Sequence, residues 1–231
     1  MKTATALRHI TVLLADDHTV VREGLRAMLE AEGDIEIIGE AETGRQAVDL
    51  TRKLRPDVVV MDIAMPILNG LEATRQIRKA VPEAKVLILS AHSDDAYIEQ
   101  VTSLGGRGYL LKQTSARFLA EAIREVHKGN TYFSPSIARH LKNQYEKTSQ
   151  PEELHKREAA NLTSREMEVL QLISEGQANK QVASELGISV KTVEKHRQRV
   201  MEKLNIHDTA SLTRYAISAG IIENSVQVTI L

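Results

Sequence analysis

Five polar residues stand where short apolar runs end: Asp16 and Asp17 after ITVLLA, Asp62 after DVVVM, Ser90 at the end of KVLILS, and Lys112 after RGYLL. A short, wholly apolar run reads as a strand buried on both faces, so each of these residues sits where a strand leaves the core. Functional groups of open parallel sheets gather outside the carboxyl ends of the strands, and the five positions therefore converge on one rim. Three carboxylates in one cleft repel each other and need a cation or a raised pKa to coexist. With no Cys in the chain and oxygen ligands on offer, a hard ion such as Mg²⁺ fits better than zinc. Lys112 adds a positive charge and Ser90 a hydroxyl donor, a combination suited to a phosphoryl group. The constellation reads as Mg²⁺-assisted phosphoryl transfer onto an aspartate. Taken singly, each residue has an ordinary reading: Asp16 and Asp17 as caps of the helix opening at His18, Lys112 as surface, Ser90 as a turn.

The elements that must position these groups follow from the alternation of the first 128 residues. Apolar runs at 10–15, 35–41, 57–62, 85–91 and 107–112 are separated by helix-patterned stretches such as Val20 to Leu29 and Gly44 to Leu54. Such alternation calls for a parallel sheet wrapped on both faces by helices. From Gly129 to Asn161 the pattern loosens, with Pro135, Pro151 and many Lys, Glu, Gln and Ser residues. A short helix around Pro135 to Tyr145 and a mobile linker over 143–160 are expected there. A new domain opens at LTSREMEVL, where Thr163 and Glu166 fit a capping box, and Leu162 and Met167 the hydrophobic staple around it.

Downstream, NKQVASEL (179–186), Gly187 with Ile188-Ser189, and VKTVEKHRQRVMEKL (190–204) spell helix, turn, longer helix, with Ser189 as N-cap. At 100° per residue Val193, His196, Val200 and Leu204 share one face, leaving Lys191, Lys195, Gln198 and Glu202 opposite, with Glu194 and Arg199 flanking. Ser189 to Leu204 holds five Lys/Arg against two Glu, whereas residues 161–231 balance at eight against eight. Positive charge concentrated on one helix is the electrostatic footprint of duplex binding, although a solvated helix face can look the same.

Composition bounds the rest. The 231 residues suffice for two domains of ordinary size, and 42% apolar with 26% charged residues is globular. MKTATALRHI lacks a signal-peptide core and no run reaches membrane-span length, so a cytoplasmic protein with no membrane partner is expected.

Asp16 and Asp17, Asp62 with Met65-Pro66 after it, Ser90-Ala91, and Tyr109 with Lys112 together resemble the receiver domain of two-component response regulators. LTSREMEVLQLISEGQANKQVASELGISVKTVEKHRQRVMEKLNI resembles the LuxR-type DNA-binding domain. The whole chain is thus similar to NarL/FixJ-type response regulators. The resemblance implies a flavodoxin-like doubly wound five-stranded sheet of order 2-1-3-4-5, a receiver over 8–128, a linker with a short helix over 129–160, and an all-α helix-turn-helix domain over 161–228. It implies Asp62 as acceptor of phosphate from a sensor histidine kinase. Asp17, Asp62 and the Ala64 carbonyl would hold Mg²⁺, Asp16 would act through water, Lys112 would pair with the phosphoryl oxygens, and Ser90 with Tyr109 would form the switch pair. Lys191, Thr192, Glu194, Lys195, Gln198 and Arg199 would enter the major groove, with Asn179 and Lys180 approaching phosphates. Glu194 stands where many relatives have Lys; it can accept from cytosine N4 or pair with a neighbouring basic residue. Expected partners are double-stranded DNA, a second copy of the chain on activation, and RNA polymerase.

Ala64 offers no side-chain polar group to orient water near Asp62, and His92 reads as an exposed loop residue. Two other functions compete: an aspartyl-phosphate phosphatase, for which the short loops leave little chain to build a substrate pocket, and a regulator whose receiver only dimerises. The expectation is a regulator and not an enzyme.

Overall fold

The computed structural model describes residues 9–91, 101–102, 104–113, 116–133 and 162–222. The expectations for His92, for the helix at 135–145 and for the linker lie outside these residues. The first body runs β1 (Ile10–Ala15), α1 (Thr19–Glu30), β2 (Ile35–Ala41), α2 (Gly44–Leu54), β3 (Val58–Met61), α3 (Gly70–Ala80), β4 (Lys85–Ser90), β5 (Gly108–Leu111), α4 (Ala116–Lys128) and β6 (Tyr132–Phe133). The second is helical: α5 (Ser164–Ser174), α6 (Asn179–Leu186), α7 (Val190–Leu204) and α8 (Thr209–Ser218).

All strand pairings are parallel, in the order β2-β1-β3-β4-β5-β6. Among the described residues the sheet thus has six strands where five were expected. The sixth is only Tyr132–Phe133, both partly buried, paired with Gly108 and Tyr109. A pair of residues cannot show a strand's periodicity, which is why it escaped the pattern.

Side-chain alternation sends Leu13, Ala15, Val59 and Met61 into one core and Val12, Leu14, Val58 and Val60 into the other. Both cores are closed, so the four residues of β3 are buried throughout and Asp62 is carried to the rim on a rigid support. The loop after it is just as constrained. Asn69 caps α3 by accepting the Glu72 N–H at 2.9 Å, and the Gly70 N–H donates to Ile63 O at 2.8 Å. A Cβ on Gly70 would lie 1.8 Å from the Asp62 carbonyl oxygen, and one on Gly44 2.0 Å from Leu68 O.

The helical body is capped as its sequence indicates. Thr163 and Glu166 form the reciprocal capping box of α5, Gly187 ends α6 in the left-handed region at φ 62°, and Ser189 accepts the Thr192 N–H to start α7. Leu162 and Met167 pack on the cluster of Leu170, Val200, Leu212, Ala216 and Ile221.

Gly70→Ala is expected to cost about 1–3 kcal/mol or more, because the neighbour of the new methyl is backbone that cannot yield cheaply. Gly24→Ala, in an exposed helical position with nothing within 4 Å, should instead stabilise by about 0.5–1 kcal/mol. Urea unfolding of the two variants checks the contrast, and equal effects would contradict it.

Candidate functional site

The rim residues meet as their strand-end positions require. Asp62 is 4% exposed and Asp16 3%, while Asp17 lies at the mouth. The Asp62 N–H donates to Ala15 O at 2.8 Å, so the acidic ends of β1 and β3 are tied side by side. Lys112, placed by its own N–H donating to Ser90 O at 2.7 Å, sets its Nζ 2.8 Å from Asp62 Oδ2 and 2.8 Å from Asp16 Oδ2. The approach to Asp16 makes a second ion pair to the same ammonium. Ile63 N–H donates to Asp62 Oδ1 at 2.8 Å.

Burial, with a smaller push from Asp16, outweighs the downward pull of Lys112 and raises the Asp62 pKa to about 6. Burial lowers the Lys112 pKa less than Asp62 and Asp16 raise it, and the ammonium ends above its ordinary value. One ammonium therefore serves two buried carboxylates, a site still short of positive charge.

Asp16, Asp17, Asp62 and His18 each offer a ligand atom, all within 4.8 Å of one another. His18 was anticipated only as a helix start. It is the N-cap residue of α1, its N–H donates to Asp16 Oδ1 at 2.9 Å, and its Nδ1 lies 2.8 Å from Asp17 Oδ1. Its place directly after Asp16-Asp17 was the available signal. Ser90 and Tyr109 are both fully buried, on the neighbouring strands β4 and β5. Ala64 is partly buried in the loop after Asp62.

The second set of residues lies on α6 and α7. Val193 and Val200 are buried and His196 and Leu204 partly so, while Lys191, Glu194, Lys195, Gln198 and Arg199 are exposed along the opposite and flanking faces. Lys180 is exposed, Asn179 and Thr192 are partly so, and Gln198 donates to Glu202 at 2.9 Å. Lys203 reaches Glu166 Oε2 at 2.6 Å and ties α7 to the cap of α5.

The two bodies touch, with the polar contacts made from α5 and the residue after it, and with Ile67 packed on the apolar cluster that α5 shares with α6 and with Val193 of α7. Glu168 Oε1 accepts from Arg45 at 2.6 Å and from Gln76 at 2.8 Å, while its Oε2 accepts from Arg165 at 2.7 Å. Gln171 Oε1 accepts the Asn69 N–H at 2.7 Å and its Nε2 donates to Met65 O at 2.9 Å. Ile67 packs on the cluster of Val169, Leu172, Ile173, Val182, Ala183, Leu186 and Val193, and its N–H donates to Glu175. Ile67 has φ 71°, a left-handed conformation that costs a β-branched residue about 1–3 kcal/mol. Sequence reasoning missed this contact. Its signal was Glu168, Gln171 and Glu175, a polar stripe at helical spacing that looks like a solvated face.

A doubly wound sheet with an acidic rim beside a helix-turn-helix defines a signal-receiving DNA-binding protein. Residues 12–124 match the response regulator receiver domain, and residues 160–216 match the bacterial regulatory proteins of the luxR family. The transcriptional regulatory protein DegU of Brevibacillus brevis is 36% identical, over 91% of this chain and 94% of its own. The response regulator protein VraR of Staphylococcus aureus is 36% identical over 93% and 99%. A structure of the Salmonella typhimurium RcsB response regulator matches with TM-score 0.56 at 26% identity, over 91% and 99%. The chain belongs to the two-component response regulators that join a receiver to a LuxR-type DNA-binding domain.

Burial alone would raise the Glu168 pKa, but Arg165, Gln76 and Arg45 outweigh it and hold the group below the ordinary glutamate value. A depressed folded pKa contributes stability above the unfolded value of 4.5 that is lost as pH falls through the folded one. Glu168→Gln should therefore cost about 1–3 kcal/mol at neutral pH and progressively less on acidification below about pH 4.5. Urea unfolding of both proteins across that range checks it; a pH-independent difference would contradict the assignment.

Proposed function

We propose that Asp62 is the phosphoacceptor of a sensor histidine kinase and that its phosphorylation controls DNA binding by α7 in a homodimer. The observation that carries this reading is the shared ammonium: Lys112 Nζ lies 2.8 Å from both Asp62 and Asp16, at the mouth of an acidic cluster. The donor set is all carboxylate but for His18, which suits a hard divalent cation. Asp17, Asp62 and the Ala64 carbonyl would hold Mg²⁺, with Asp16 acting through water. When bound, the ion offsets the charge that gathers on the phosphoryl oxygens.

The step is a displacement at phosphorus. An Asp62 carboxylate oxygen forms the new P–O bond while the P–N bond of the kinase's phosphohistidine breaks, and the electron pair stays on the imidazole, which takes up a proton. Lys112 turns from its bridging position to the phosphoryl oxygens. Ser90 donates its hydroxyl there and Tyr109 follows the space that Ser90 leaves. Each charge-assisted hydrogen bond contributes about 1.5–3 kcal/mol. Reversing a 1:99 population needs about 5.5 kcal/mol, so two or three such contacts suffice and one does not.

At the output end, Lys191, Thr192, Glu194, Lys195, Gln198 and Arg199 reach the major groove, and Asn179 and Lys180 the phosphates. A single helix-turn-helix with few basic residues binds a half-site weakly, and two on a palindromic site supply the missing affinity. RcsB has been described as two dimers bound to two parallel DNAs, which supports the same arrangement. RNA polymerase is the further partner through which a promoter-bound dimer acts, and the cytoplasm the compartment where kinase, DNA and polymerase are met together.

The test combines both ends. Incubation with labelled acetyl phosphate and Mg²⁺ should label the chain, and Asp62→Asn should abolish the label together with any phosphorylation-dependent gain in DNA occupancy. Lys195→Ala should keep the label, weaken DNA binding across all sequences and reduce the salt slope by about 1. Label persisting in Asp62→Asn, or occupancy identical with and without it, would overturn the reading.

A further inference from the structure

Gln171 belongs to the DNA-binding domain, yet its chemistry is spent on the loop that follows Asp62. It is 1% exposed and engages both of its amide atoms across the boundary: Oε1 with the Asn69 N–H, Nε2 with Met65 O. Its Nε2 also donates to Glu175 Oε1 at 2.8 Å, and Glu175 in turn accepts the Ile67 N–H at 3.1 Å. Three backbone groups of Met65 to Asn69 are thus held by one face of α5. A buried amide whose oxygen and nitrogen each have a backbone partner on the neighbouring domain is fixed in orientation, because turning it would leave donor facing donor at Asn69 and acceptor facing acceptor at Met65.

The held loop is not one that the receiver would choose for itself. Ile67 is left-handed, and its side chain finds its apolar contacts on the far domain, among Leu172, Val182 and Val193. Released from α5, the segment loses both the hydrogen bonds and the contact that offset this strain, and it relaxes. The segment is the near neighbour of the acceptor: it begins at Ile63, whose N–H holds Asp62 Oδ1, it includes Ala64, and it closes through the Gly70 N–H on Ile63 O. The recognition face of α7, by contrast, stays exposed while α5 is docked. What docking constrains is the phosphoacceptor loop and not the DNA-reading surface.

We propose that Gln171 is a positioning residue for the phosphoacceptor loop, through which the docked DNA-binding domain slows phosphorylation of Asp62. The proposal rests on the reading of Asp62 as acceptor. In this proposal the released loop is the reactive one, so docking lowers the rate by the fraction of molecules it holds in the strained conformation. Gln171 thereby serves the acceptor chemistry without touching the reacting atoms.

The test uses the full chain with acetyl phosphate and Mg²⁺, where the bond from phosphorus to the acetyl oxygen breaks, acetate leaves and the P–O bond to Asp62 forms. Gln171→Ala should raise the rate constant at saturating acetyl phosphate about fivefold or more, with the KM for acetyl phosphate unchanged. Gln171→Glu, which sets a carboxylate oxygen against Met65 O and Glu175, should accelerate at least as much. Affinity for a half-site duplex should not change in either variant, whereas general damage to α5 would lower it. If Gln171→Ala does not fold, Ile67→Ala removes most of the apolar contact from the receiver side while keeping the cost of the left-handed φ, and should give the same acceleration. An unchanged or slower rate in variants whose wild-type parent labels at Asp62 would overturn this inference alone. Failure of the wild type to label, or label retained in Asp62→Asn, would overturn the reading beneath it as well.

Discussion

Two buried carboxylates, Asp16 and Asp62, share the single ammonium of Lys112 at the carboxyl end of the sheet. Burying a charge without a partner costs several kcal/mol, so this trio stands only because three strands hold it in register. β1 delivers Asp16, β3 delivers Asp62 and the turn after β5 delivers Lys112, each locked by a backbone hydrogen bond to the neighbouring strand. One ammonium faces two carboxylates, and burial with the nearby Asp16 raises the Asp62 pKa to about 6 despite Lys112. The proposed cation and phosphoryl group would find there two carboxylates that share one ammonium.

The consequence travels along the loop after Asp62. Its near end is bound to the acidic trio through Ile63, and its far end is bound to α5 through Asn69, Met65 and Ile67. Packed elements tend to hold one of two arrangements rather than deform continuously, so a loop gripped at both ends couples them. The strained φ of Ile67 lies at the midpoint of that path. Among the described residues Lys191, Glu194, Lys195, Gln198 and Arg199 of α7 stay exposed, and the polar contacts to the receiver come from Glu168, Gln171 and Glu175.

The sheet was legible because apolar runs such as ITVLLA and VVVM permit no other reading when helices alternate between them. The rim was legible because Asp16, Asp17, Asp62, Ser90 and Lys112 interrupt those runs at the same end. β6 was not, since Tyr132–Phe133 is too short to carry a period. The boundary between the bodies was also opaque. Glu168, Gln171 and Glu175 are residues that ordinarily face water, and only the opposing Arg45, Gln76 and loop backbone turn them into an interface. Likewise Glu166 was readable as half of a capping box, but its pairing with Lys203 depends on how α7 crosses α5. Local signals reveal elements and caps; contacts made by polar groups between distant elements appear only once both are in place.

The most direct measurement is amide hydrogen exchange at Asn69 and Ile67 in the full chain, before and after phosphorylation with acetyl phosphate and Mg²⁺. Both N–H groups are bonded to α5 side chains, so slow exchange is predicted in the unphosphorylated protein and markedly faster exchange once Asp62 carries phosphate. Protection at these two positions that is the same in both states would contradict the account.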